Sequence, residues 1–82
     1  MSSKEFNQLT VDQKARVILR ESIFLTAIHE YSYKVHLYAL GNFFVEVRLT
    51  PITSDVMKIG VIQGKELDKF IHHIELPSWQ LE

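Results

Sequence analysis

The sequence predicts an α+β fold, in which an antiparallel meander of four strands is flanked by an N-terminal and a C-terminal helix (α-β-β-β-β-α). Three observations predict it: a capping box opens a helical pattern at Thr10, a Gly41-Asn42 turn joins two strand-like runs, and a helical stripe begins at Leu67. The 82 residues match one small domain, so we treat 1–82 as a single unit.

Composition restricts the classes of function. Nine Lys+Arg against ten Asp+Glu leave a net charge of -1, so no overall field attracts nucleic acid or an anionic membrane. The absence of cysteine excludes a disulfide scaffold, a thiolate zinc site and a cysteine nucleophile. No apolar stretch approaches the roughly 20 residues of a membrane span, and no signal-peptide core follows the N-terminus. We therefore expect a cytoplasmic protein.

The N-terminal third predicts a mobile segment followed by a helix. Residues 1–8 are polar apart from Phe6 and have the character of an unanchored terminus. In the capping box that follows, Thr10 and Gln13 satisfy each other's backbone amides, and apolar residues then recur at helical spacing. We place the first helix at about 10 to 22.

Residues 23–30 are ambiguous between helix and strand. No glycine marks a helix end before them, but β-branched and aromatic residues cluster here, which favours a strand. We predict strand 1 at about 23 to 30. If this segment is helical, the order becomes α-β-β-β-α, which is the element order of double-stranded-RNA-binding domains.

The runs Tyr33–Leu40 and Phe43–Thr50 flank Gly41-Asn42 and predict a β-hairpin. A two-residue loop would place Leu37 opposite Glu46 and so mix core with charge on one face.

A three-residue loop, 40–42, instead pairs Leu37 with Val45 and makes one continuous apolar face. We predict this register, with Asn42 in the left-handed conformation that such loops require of their last residue.

Pro51 ends the third strand because it cannot donate to a ladder. Alternating apolar residues after the next turn predict strand 4, which Gly64 ends. A second helix follows at about 65 to 75, with its buried stripe at Leu67, Phe70, Ile71 and Ile74.

The hairpin sequence VHLYALGNFFVEV at 35–47, followed by LDKFI at 67–71, resembles a pattern of small uncharacterised Bacteroidetes proteins. The resemblance implies a bacterial origin and no activity, and it transfers no functional residue.

No recognisable catalytic or metal-binding motif occurs. His72 and His73 are adjacent and therefore point about 100° apart on a helix, whereas a helical metal pair uses i and i+4. Glu46 and His36 are opposite each other in the predicted register, which is typical of an ordinary cross-strand pair. No nucleophile elbow or phosphate-binding glycine pattern is present. We expect no enzyme, no metal and no cofactor.

The predicted register places Phe24, Tyr38 and Phe44 in one row on the outer sheet face, with Ile62 near its end. Contiguous exposed apolar surface usually marks an interaction site. We therefore expect a non-catalytic interaction module, a homodimer or the partner of an unidentified protein, that binds through a sheet face or edge.

The alternative is single-stranded nucleic-acid binding. The same face carries Lys34, Arg48 and Lys58 beside the aromatic residues, a combination found on stacking platforms for single strands.

Overall fold

A computed structural model of the chain describes residues 1–71. The predicted helical residues 72–75, which include the His72-His73 pair, lie outside this range. The strands pair antiparallel in the order β1-β2-β3-β4, which confirms the α+β meander and the strand at residues 23–30. In chain order the elements are α1 (Ser3–Asn7), α2 (Val11–Glu21), β1 (Ile23–Glu30), β2 (Tyr33–Leu40), β3 (Phe43–Leu49), β4 (Val56–Ile62), a 3₁₀ turn (Gly64–Leu67) and α3 (Asp68–Ile71).

The N-terminal segment is a short helix anchored by one aromatic side chain, which corrects the prediction of an unanchored terminus. Ser2 caps α1 in a capping box with Glu5. Phe6 has no exposed surface, and its ring centroid lies 5.9 Å from that of Phe43. A single large apolar residue suffices because the sheet supplies the rest of its packing.

α2 begins at the predicted capping box. The Gln13 amide donates to the Thr10 hydroxyl at 3.2 Å, and the Thr10 amide donates to the Gln13 side chain at 2.9 Å. α1 and α2 pack on the same side of the sheet, which we call the α2 face. Its buried cluster consists of Phe6, Ile18, Leu40, Phe43, Val45, Val47 and Ile59.

The opposite side, the α3 face, is covered by the C-terminal turn and helix. Phe70 of α3 has no exposed surface and contacts a second buried cluster. The other members of that cluster are Ile28, Val35, Leu37 and Ile62, with Phe44 and Leu67 packed against them. The sheet therefore has a core on each face, and each core needs its own apolar side chains.

The predicted hairpin register is wrong. β2 and β3 join through a two-residue loop, so that Leu37 is opposite Glu46 and Tyr38 is opposite Val45. Gly41 has φ +60° at the first loop position, as in a type II′ turn, and Asn42 does not adopt the predicted left-handed conformation. Leu37 is buried as expected, but against α3.

In the observed register, which the sequence argued against, charged side chains from distant elements meet on the α3 face. Arg48 donates to Glu30 of β1 at 2.5 Å and to Glu46 at 3.4 Å. Lys69 of α3 lies 2.9 Å from Glu46 and 3.5 Å from Glu30. We call these four residues the ion cluster. Since each charge faces an opposite charge, polar residues on this face do not prevent its apolar part from being covered.

Two β-bulges interrupt the outer strands. On β1, Phe24 is opposite Tyr38 and Thr26 is opposite Leu37, so Leu25 is the extra residue. On β4 the register shifts in the same way around Met57. A bulge reverses which residues face each side of a strand, and it leaves Leu25 in a half-exposed position.

Candidate interaction surface

The structure does not bring the four predicted interface residues together. Phe24 and Tyr38 are neighbours on the α2 face, with ring centroids 5.6 Å apart in an edge-to-face arrangement. Phe44 and Ile62 are opposite each other on the α3 face, where Ile62 is buried. The single aromatic row therefore does not exist, because it depended on the wrong register.

The residues of the nucleic-acid alternative are also divided. Lys34 shares the α2 face with Tyr38, whereas Arg48 and Lys58 are opposite each other on the α3 face. Arg48 belongs to the ion cluster, and its hydrogen bond to Glu30 is the main cause that raises its pKa. A phosphate would have to compete with two carboxylates for this guanidinium.

The α2 face carries a half-open apolar groove between α2 and the sheet. Its volume is about 220 Å³. α2 packs against β4 and β2 and forms one wall of the groove, while the strands form its floor. We call this cavity the α2 groove; its lining residues are Ala15, Ile18, Leu19, His36, Tyr38, Val47, Leu49, Val56 and Ile59.

Two polar side chains lie on the floor of the α2 groove. The Nδ1 atom of His36 is 3.3 Å from the Tyr38 hydroxyl, so the two groups share a hydrogen bond. Burial lowers the pKa of His36, with a smaller contribution from the charge of Lys34, and burial also raises the pKa of Tyr38. Both side chains are therefore held neutral near pH 7, and they offer hydrogen-bonding atoms in apolar surroundings.

The rim of the α2 groove exposes large apolar side chains. Leu19 of α2 is 86% exposed, Val56 of β4 is also exposed, and Phe24 is 52% exposed while its ring packs 5.4 Å from that of His36. These residues extend the apolar floor outward on both sides of the cavity. The groove and its rim form the candidate interaction surface.

The two sheet edges are less suited to pairing with another strand. The bulge at Leu25 interrupts β1, and the bulge at Met57 interrupts β4. Lys14 of α2 also donates to the carbonyl of Ile59 on β4 at 3.2 Å, which occupies an edge acceptor. Bulges and charged side chains are common means of blocking edge pairing, so the α2 face is the better candidate.

One end of the sheet carries backbone strain that the sequence analysis missed. Tyr31 and Ser32 in the β1–β2 turn have φ +54° and +80°. Ile52 in the β3–β4 turn has φ +67° and is fully exposed, while the Thr53 amide donates to the Pro51 carbonyl across it at 2.7 Å. This is the hydrogen-bond pattern of a γ-turn, which is strained at positive φ.

Other kinds of site are not evident in residues 1–71. No group of three or more histidine, aspartate or glutamate side chains converges as metal ligands there. Within the same part of the chain, no helix has the length and apolar character needed to cross a bilayer.

No known protein family, curated protein or solved structure matches this chain. The resemblance to small Bacteroidetes proteins thus stays a prediction.

Proposed function

We propose that this protein is a small non-catalytic interaction module that self-associates through the α2 groove and its rim. The observation that carries the proposal is the half-open groove of about 220 Å³, lined mainly by apolar side chains. Apolar surface left open beside a packed core is favourable to cover with another chain. The cytoplasmic location expected from the sequence belongs to the same proposal.

We propose a second copy of this protein as the partner that covers the α2 groove. The net charge is only -1, so repulsion between copies is weak. The groove floor holds neutral His36 and Tyr38, so covering the floor itself desolvates no charged side chain, while exposed Lys34 lies beside it on the same face. Because the ion cluster occupies the other face, association on the α2 face leaves the four charges of that cluster undisturbed.

Sedimentation velocity across a wide concentration range tests the proposal. The wild-type protein is expected to convert from monomer to dimer as concentration rises. Leu19→Glu places a charge on the exposed rim and should weaken the dimer by at least tenfold without altering circular dichroism.

Arg16→Ala is the matched control, because it changes net charge by the same amount at another exposed position of α2. This variant should associate like the wild type. A wild-type protein that stays monomeric at high concentration would refute self-association, and a dimer insensitive to Leu19→Glu would place the contact elsewhere.

A further inference from the structure

The β1–β2 turn presents a strained aromatic residue to solvent. Left-handed conformations at two consecutive positions are typical of a type I′ turn, which strongly prefers Asn-Gly. Here the residues are Tyr31 and Ser32, and neither is glycine. Tyr31 is also 93% exposed, so packing within the monomer does not offset the unfavourable backbone. Strain of this kind is concentrated at functional sites.

The α2 groove extends to the same end of the sheet as this turn. Leu49 and Val56 are opposite each other in the groove lining, next to the β3–β4 turn. Leu49 is also opposite Lys34, which is three residues from Tyr31. The exposed ring and the groove therefore lie close together on one molecule. In a dimer with two-fold symmetry, the ring of each copy can then contact the groove of the other copy, as an isologous interface requires.

The chemistry of the groove matches a tyrosine side chain. A cavity of about 220 Å³ accommodates one aromatic ring, and the Tyr38 ring on its floor and its apolar walls provide the contacts that aromatic side chains prefer. A buried tyrosine hydroxyl also needs a hydrogen-bond partner. The His36–Tyr38 pair on the floor offers one.

We propose that Tyr31 of each copy inserts into the α2 groove of the other copy, and that the strained turn holds the ring in position for this exchange. The inference rests on the proposed self-association and specifies its anchor. Pre-organisation of an exposed anchor reduces the ordering cost of association.

The test is the double variant Tyr31→Asn, Ser32→Gly, which gives the turn its preferred sequence and removes the ring. Sedimentation velocity should show a dimer dissociation constant raised at least tenfold, while the monomer melts at the same or a higher temperature. A loss of association accompanied by unchanged or greater stability cannot result from unfolding.

Ile52→Asn is the matched control, because it also removes an exposed apolar residue from a strained turn at the same end of the sheet. It should leave the dissociation constant within twofold. If the double variant dimerises like the wild type while Leu19→Glu does not, self-association stands and the role of Tyr31 is refuted. If Ile52→Asn weakens the dimer equally, generic apolar contact replaces the specific anchor. A monomeric wild type refutes both proposals.

A mixing experiment tests the reciprocal geometry. Ala15→Trp should fill the groove from its α2 wall and weaken dimerisation on its own, with folding checked by circular dichroism. Mixed with the Tyr31→Asn, Ser32→Gly variant, it should form a heterodimer with one intact insertion, tighter than either variant's homodimer. A mixture no tighter than the separate variants would contradict insertion of Tyr31 into the groove.

Discussion

The two faces of the sheet differ in how completely they are covered, and the more polar face is the better covered one. The α3 face carries the ion cluster, yet Phe70 is fully buried there and the apolar side chains beneath α3 are covered. The α2 face is more apolar, yet it is the one with an open groove and an exposed Leu19. A face is thus closed by the elements that reach it, and charges on a closed face are tolerated when they pair with one another.

The largest expected effect comes from the aromatic anchors of the two faces. Phe6→Ala and Phe70→Ala should each lower the free energy of unfolding by about 3–5 kcal/mol, because each removes a fully buried ring. Urea denaturation measures both, and Leu19→Ala on the exposed rim should change stability by less than about 0.5 kcal/mol. A cost below about 1 kcal/mol for Phe6→Ala would support the mobile terminus predicted from the sequence.

An intermediate effect is expected when the ion cluster is opened. Arg48→Ala should cost about 1–2 kcal/mol, because it leaves Glu30 and Glu46 with only Lys69 between them in a partly buried setting. Lys58→Ala, at the exposed position opposite Arg48, is the control and should cost less than about 0.5 kcal/mol. The Arg48 effect should diminish in 1 M salt. Equal costs for the two variants would mean that the cluster does not stabilise the fold.

The smallest expected effect is on the pH dependence of stability, in which His36 on the α2 face and Glu30 on the α3 face contribute over different pH ranges. The pKa of His36 is lowered by burial, so the unfolded chain takes up its proton first, and the contribution of neutral His36 is lost as pH falls below 6.5. The pKa of Glu30 is lowered chiefly by its hydrogen bond to Arg48, so its contribution is lost only below 4.5. His36→Gln should remove the first decline in stability, measured by urea denaturation at successive pH values, and should leave the second. A first decline that persists in His36→Gln would assign it to another group.

The boundaries of α2 and of the four strands follow from local patterns in the sequence. The Thr10 capping box, the β-branched residues of β1, the Gly41-Asn42 turn and the stripe from Leu67 mark helices and strands because their causes lie within a few residues. The same is true of the meander order, since short connections favour antiparallel neighbours.

The hairpin register could not be predicted by these means. The criterion of one apolar face assumes that a single face is buried, whereas this sheet has a core on both faces. Leu37 opposite Glu46 is acceptable only because Lys69 and Arg48 lie beside that carboxylate. Arg48 follows Glu46 by two residues on the same strand and so shares its face, but Lys69 cannot be assigned before the position of α3 is known. The predicted aromatic row was wrong for the same reason.

Local patterns in the sequence were sufficient for the fold class, the four strands, α2 and the burial of Leu37, because propensity, capping and turn chemistry act over short distances along the chain. The tertiary structure decided which side of the sheet each helix covers, the register of β2 against β3, and therefore which residues surround the α2 groove. These depend on contacts between Glu30 and Arg48, between Glu46 and Lys69, and between Phe6 and Phe43. Such contacts join residues far apart in the chain, and their energies exist only once the elements have packed together.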